Sequence, residues 1–159
     1  MPAYAQRGAS PLTAITPIIP GREETVEAVL EDLQRRLDEA GDTGLSGIGT
    51  VHFARWVMLR NGDRAQLLFA SHFDGTWDNY MDDFIAHAWQ LFDAVWSNCE
   101  GYPDYGARDS VAFKDFVRKH QLKEHASFRG YDASAAEIRR ALKISRGVKQ
   151  VLEGLQELS

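Results

Sequence analysis

One cysteine stands in the 159 residues. A lone Cys99 excludes an internal disulfide, a CxxC redox pair and a multi-thiolate zinc site, and such usage is that of an intracellular chain. Long apolar runs are missing as well. Nothing approaches the roughly 18 to 20 apolar residues of a membrane span, and the leading MPAYAQRGASP lacks the apolar stretch of a secretion signal. A soluble, cytoplasmic protein is expected. Basic residues are the minority, 18 Lys plus Arg against 23 Asp plus Glu for a net charge of −5, so neither duplex nucleic acid nor an anionic membrane is an expected partner. The five histidines show no HExxH and no Cys/His zinc spacing, and no metal is expected; Asp83 and His87, four apart on a helix face, equally suit a solvent-facing polar pair. What is present is one domain's length, enough to bury roughly 70% of the unfolded surface without a staple.

Residues 1–10 are small, polar and aperiodic, and read as a flexible N-terminal arm. Leu12 to Ile19 is β-rich and stops at Pro20-Gly21, with Pro17 marking an edge strand or a bulge. From Glu23 to Ala40 the residues Val26, Val29, Leu30, Leu33 and Leu37 share one helical face, and Gly41 is the expected stop. The glycine-rich GDTGLSGIG lacks a P-loop lysine and follows a helix, so it reads as a connector. TVHFARWVMLR and RAQLLFASHF, joined through Asn61-Gly62-Asp63, form the clearest hairpin signal. A long helix, capped by Thr76 or Asp74, then runs through Tyr80, Phe84, Phe92 and Trp96 to Cys99. Asp109 caps a short helix ending near His120, Glu124 to Tyr131 reads as a last strand, and Asp132 or Ser134 caps a final helix with Ile138, Leu142, Val148, Leu152 and Leu155.

The order is β-α-β-β-α-β, a ferredoxin-like α+β arrangement: four antiparallel strands with both helices on one face, plus an extra short helix and a C-terminal helical extension. Residues 11–131 make that domain and 132–159 the extension. Both faces of the hairpin are apolar: Val51, Phe53, Val57 and Leu59 with Arg55 on one, His52, Ala54, Trp56 and Met58 on the other. The bare sheet face therefore needs a second layer, most simply a second copy in a homodimer. A two-residue turn at Asn61-Gly62 sets His52 opposite Ser71, and a three-residue turn sets it opposite His72; the sequence leaves both open. On the element order, VHFARWVML, LLFASHFDG and the long aromatic helix, the chain resembles the dimeric α+β-barrel superfamily. That resemblance implies paired sheets, a small-molecule pocket, and functions from cofactor-free oxygenases and polyketide cyclases to haem enzymes and plain binding domains.

His52 and His72, strand histidines beside Phe53, Phe73 and Trp56, are candidate acid/base groups. Arg55 lies mid-strand among apolar residues, where a guanidinium calls for an anionic ligand or for a carboxylate such as Asp74, Asp78, Asp82 or Asp83. Trp56, Asp74 and Tyr80 complete the candidate ligand-binding set, since such sites are mostly apolar with few polar groups. Ser71-His72-Phe73-Asp74-Gly75 resembles the GxxDG signature of dye-decolourising haem peroxidases, save that Ser71 replaces its first glycine. Capping and turning by Asp74-Gly75 explain the same residues. The expectation is a cofactor-independent enzyme, cyclase- or oxygenase-like, acting on a hydrophobic small molecule. A non-catalytic accessory or assembly module and a haem-binding protein are the alternatives.

Overall fold

A computed structural model describes residues 9–40 and 45–157; residues 1–8 of the expected arm, and Gly41, lie outside them. Three strands form one antiparallel sheet, β1 (Ser10–Pro17), β2 (Val51–Asn61) and β3 (Arg64–Phe73), in the order β1-β3-β2. Burial alternates along β1 and β3, as the two-residue period of a strand with one covered face requires. Leu12, Ala14, Leu67, Phe69 and Phe73 are buried. With α1 (Glu23–Ala40), α2 (Trp77–His87), α3 (Trp89–Trp96) and α4 (Ser110–His120), they build the core. The fold is mixed α+β, an antiparallel sheet with helices packed on one face. Phe69 is its hub, its ring centroid 5.0 Å from Trp56, 5.3 Å from Trp96 and 6.1 Å from both Phe84 and Phe92.

The hairpin takes neither expected register. Its loop is Gly62-Asp63, with Asn61 still paired to Arg64. Gly62 has φ +71 in the first loop position, where a two-residue hairpin of the II′ kind wants glycine. One residue of slip exchanges the faces: Phe53, Arg55 and Val57 now lie beside His72, Ala70 and Leu68, while Ala54, Trp56 and Met58 lie beside Ser71, Phe69 and Leu67. The second set faces the helices. The first is the uncovered face, with Phe53 67% and Val57 42% exposed.

The expected strand at 124–131 does not form. Its place beside β1 is marked by a single bridge from Gln121 to Ala14, with the Leu122 N–H donating to the Thr13 carbonyl at 2.8 Å and the Thr13 hydroxyl to Glu124 Oε1 at 2.7 Å. The physical reason is pattern. Within EHASFRGY only Phe128 and Tyr131 are large and apolar, three apart, so no two-residue stripe can join the core. The long helix is also divided, into α2 and α3, at buried Ala88 (φ −138, ψ 18). Between α3 and α4, Asp93 closes the loop by accepting from the Tyr102 hydroxyl at 2.6 Å and the Ala107 N–H at 2.8 Å.

The final helix, α5 (Ala135–Gln156), starts in a full capping box between Ser134 and Glu137. That box satisfies N-terminal amides that have no partner inside the helix. From Arg139 to Gln156 every residue is exposed.

Candidate functional site

At one end of the sheet β2 is irregular. Val51 pairs with Phe73 and Phe53 with His72, which leaves His52 as the extra residue of a bulge, a device that re-aims a side chain out of the strand's alternation. The His52 side chain is 3% exposed and its Nε2 lies 2.7 Å from Oδ1 of Asp74, itself 19% exposed. Asp74 follows the last residue of β3, held by its N–H to the Thr50 carbonyl at 2.9 Å. Its other oxygen, Oδ2, accepts the Ala135 N–H at 2.8 Å. One carboxylate thus ties a buried imidazole to the N-terminus of α5, where the helix dipole favours negative charge.

In front of this pair is a cavity of about 250 Å³, lined chiefly by His52, Phe53, His72, Phe128, Arg129 and Tyr131. The Tyr131 ring lies 6.4 Å from that of His52. The lining is largely apolar, with imidazoles from two strands and a guanidinium from the loop. Because Asp74 accepts from Nε2–H, the neutral ring keeps Nδ1 as its basic atom. The carboxylate thereby fixes the orientation and tautomer of the ring.

The structure brings together His52, His72 and Asp74 of the expected set. Arg55 is on the same uncovered face, one pair along β2 from Phe53, but it is exposed. None of the ion pairs among the described residues includes it. The carboxylates expected to meet it are engaged elsewhere: Asp74 with His52, Asp78 with Arg118, Asp82 with Lys114, and Asp83 with the Thr50 hydroxyl. On the surface it needs no partner, because its charge stays in water.

Trp56 and Tyr80 are on the opposite, helix-covered face. Trp56 packs on Phe69 and Phe92, and Tyr80 stacks on Phe73 with centroids 4.1 Å apart. Burial pushes the Tyr80 phenol well above its usual range. Its hydroxyl, Ser71 Oγ, Trp56 Nε1 and Trp96 Nε1 have no hydrogen-bond partner among the described residues. Phe128, Arg129 and Tyr131 are lining residues that a strand at 124–131 hides, and Phe53 becomes one because that segment folds against the uncovered face of β2. The available signal was two aromatics in an aperiodic segment just before a helix cap.

Among the described residues no three His, Cys, Asp or Glu gather as metal ligands, and no helix is long and apolar enough to cross a membrane. Haem fits this site poorly: the aspartate of the peroxidase-like signature spends one oxygen on His52 and the other on the Ala135 N–H.

Among solved structures the chain is similar to tetracenomycin F2 cyclase from Streptomyces glaucescens, described as a type-II polyketide cyclase. The identity is 16%, over 77% of this chain and 100% of that one, with a TM-score of 0.45. No protein-family model matches the chain, and no curated protein does.

Proposed function

We propose that the protein binds a small hydrophobic molecule in the cavity between Phe53, His72, Phe128 and Tyr131 and acts on it without a cofactor, His52 serving as acid/base and Asp74 as its orienting partner. The observation that carries this reading is the 2.7 Å contact between a buried imidazole and a carboxylate at the wall of an apolar cavity. Buried histidine-carboxylate pairs keep one tautomer and stabilise the protonated ring, which is what proton transfer to or from a carbon or oxygen centre requires. At about 250 Å³ the cavity lies just below the roughly 300–1,000 Å³ of drug-sized sites, so it suits a small ligand or the end of a larger one, cyclase or oxygenase substrates among them. Arg55, on the same face, is placed to meet an anionic or carbonyl group extending out of it.

A second copy packed on the uncovered sheet face completes this reading. Phe53 and Val57, with Leu68 of β3 beside Val57, make that face apolar, and pairing two such faces removes it from water. A non-catalytic assembly role is the second reading, favoured by the exposure of α5.

The test is a titration of the purified protein with a panel of aromatic ketones and hydrophobic carboxylates, followed by tryptophan fluorescence and thermal shift. Binding by at least one member, weakened tenfold or more in Phe53→Ala and His72→Ala with the melting temperature kept, is the expected result. A panel without a single binder, or binding indifferent to both substitutions, would sink the small-molecule reading and leave assembly.

A further inference from the structure

The helix α5 raises a question that the cavity does not answer. At its start it is tied to the body by the Ala135 N–H on Asp74 and the Arg139 guanidinium on the Gly49 carbonyl. Beyond them it exposes Leu142 (50%), Ile144 (59%), Val148 (53%), Val151 (64%), Leu152 (57%) and Leu155 (59%). At about 100° per residue these fall on one half of the helix, over about 20 Å of its length. A contiguous apolar stripe of this kind marks an interaction surface. Helix stability points the same way: Gly147 and Gly154 sit in the helix interior, each costing about 1 kcal/mol relative to alanine, and a helix of this composition gains most of its stability from packing on something.

Two features identify the occupant. Ala141, Ile144, Val148, Val151 and Leu155 recur at intervals of three, four, three and four, the seam spacing of helices that pair side by side. Charge is also segregated along the helix. Arg139, Arg140, Lys143, Arg146 and Lys149 occupy its first two thirds without an intervening acid, and Glu153 and Glu157 follow without an intervening base. A parallel partner of the same sequence would stack five cations on five. An antiparallel one centred on Val148 and Val151 lays the Lys143–Arg146 stretch of each along Glu153 and Glu157 of the other, within the reach of about 8 Å that charges keep at physiological salt.

We propose that α5 pairs antiparallel with α5 of a second copy of this chain, through the seam centred on Val148 and Val151. The pairing uses a surface separate from the cavity and from the uncovered sheet face, so it stands whether or not the small-molecule reading holds. An acidic lipid surface is the competing occupant of a basic amphipathic helix, but nothing in that alternative accounts for the acidic end or the seam spacing, and the apolar stripe carries no aromatic residue.

Because Cys99 is buried, cysteines placed on α5 are the reactive thiols of the folded chain. Val148→Cys puts one in the seam and Gln150→Cys one on the opposite, polar side. With a short bis-maleimide at low protein concentration, the Val148→Cys protein should yield several-fold more covalent dimer than Gln150→Cys. The Val148→Lys/Leu152→Lys double variant, whose changes lie at exposed positions of α5, should sediment one association step below wild type with unchanged thermal stability of the domain. Equal cross-linking from the two cysteine positions, or an unchanged sedimentation mass for the double variant, would overturn the proposal. So would binding of the wild type to phosphatidylserine vesicles when Val148→Cys cross-links no better than Gln150→Cys.

Discussion

Oδ1 of Asp74 lies 2.7 Å from Nε2 of His52, and the same carboxylate's Oδ2 holds the first amide of the last helix, 61 residues further along the chain. Asp74→Ala removes a half-buried acceptor shared by two donors and takes from both the partner seen here. A loss of about 3 kcal/mol in urea unfolding is expected, with part of the α5 signal lost from the far-ultraviolet circular dichroism. A variant as stable as wild type would mean that the shared carboxylate carries no structural weight.

Arg55→Ala should behave in the opposite way. The guanidinium is exposed and makes no ion pair among the described residues, and surface changes away from special features stay within about 0.5 kcal/mol. A thermal melt superimposable on wild type is expected. Any larger destabilisation would show a hidden structural partner.

Tyr80→Phe deletes a buried hydroxyl whose neighbour is the Ser71 hydroxyl, in a contact too poor in geometry to satisfy either group, while keeping the ring stacked on Phe73. Removing an unsatisfied polar atom at constant shape is neutral or stabilising, so the midpoint of unfolding should stay or rise. A clear fall would reveal a hydrogen bond to that oxygen.

The Ser134–Glu137 cap makes the last helix sensitive to acid. The Ser134 backbone N–H, and then its hydroxyl, hold the Glu137 carboxyl below its ordinary value of 4.5. A carboxyl whose folded value is depressed lends its stabilisation in full above the unfolded value and loses it as pH falls through the folded one. Circular dichroism at 222 nm should therefore show α5 unwinding below about pH 4. Glu137→Gln, which cannot titrate, should lack that step.

The first three strands, the helical segments and the helix caps were legible because each rests on local chemistry, whereas the last strand of the expected order does not form. Thr76 accepts from the Asn79 N–H and Asp109 from the Ala112 N–H, as their positions before apolar-periodic runs imply. The hairpin was legible as a hairpin, but its register was not: Gly62 can occupy either loop position, and a single slip moves Trp56 from one neighbour to the next. His52 was found by its residue type, yet its pairing with Asp74 depends on a bulge that no strand pattern announces. Arg55 shares a face with Phe53 and Val57 as alternation implies, but that this face is the uncovered one follows from the register, which sets it beside the half-buried side of β3. Phe128 and Tyr131 went unseen because a short apolar segment after a helix looks the same whether it joins the sheet or folds across its end.

The incomplete fourth strand leaves one side of β1 open, and the prolines there take on a protective role. Alternate residues of a strand turn their amides to the same side. The Thr13 and Pro17 carbonyls accept from Leu122 and Glu100 on the outer side, so positions 11, 13, 15 and 17 face outward. Two of those four are proline, which has no amide hydrogen to offer a docking strand. Two of the outward carbonyls are already occupied. Only Thr13 and Ile15 present an N–H along the whole edge, too few to template an added strand. The β1 edge is thereby guarded against an added strand, and the second edge of the sheet is β2, at the other end of the order β1-β3-β2.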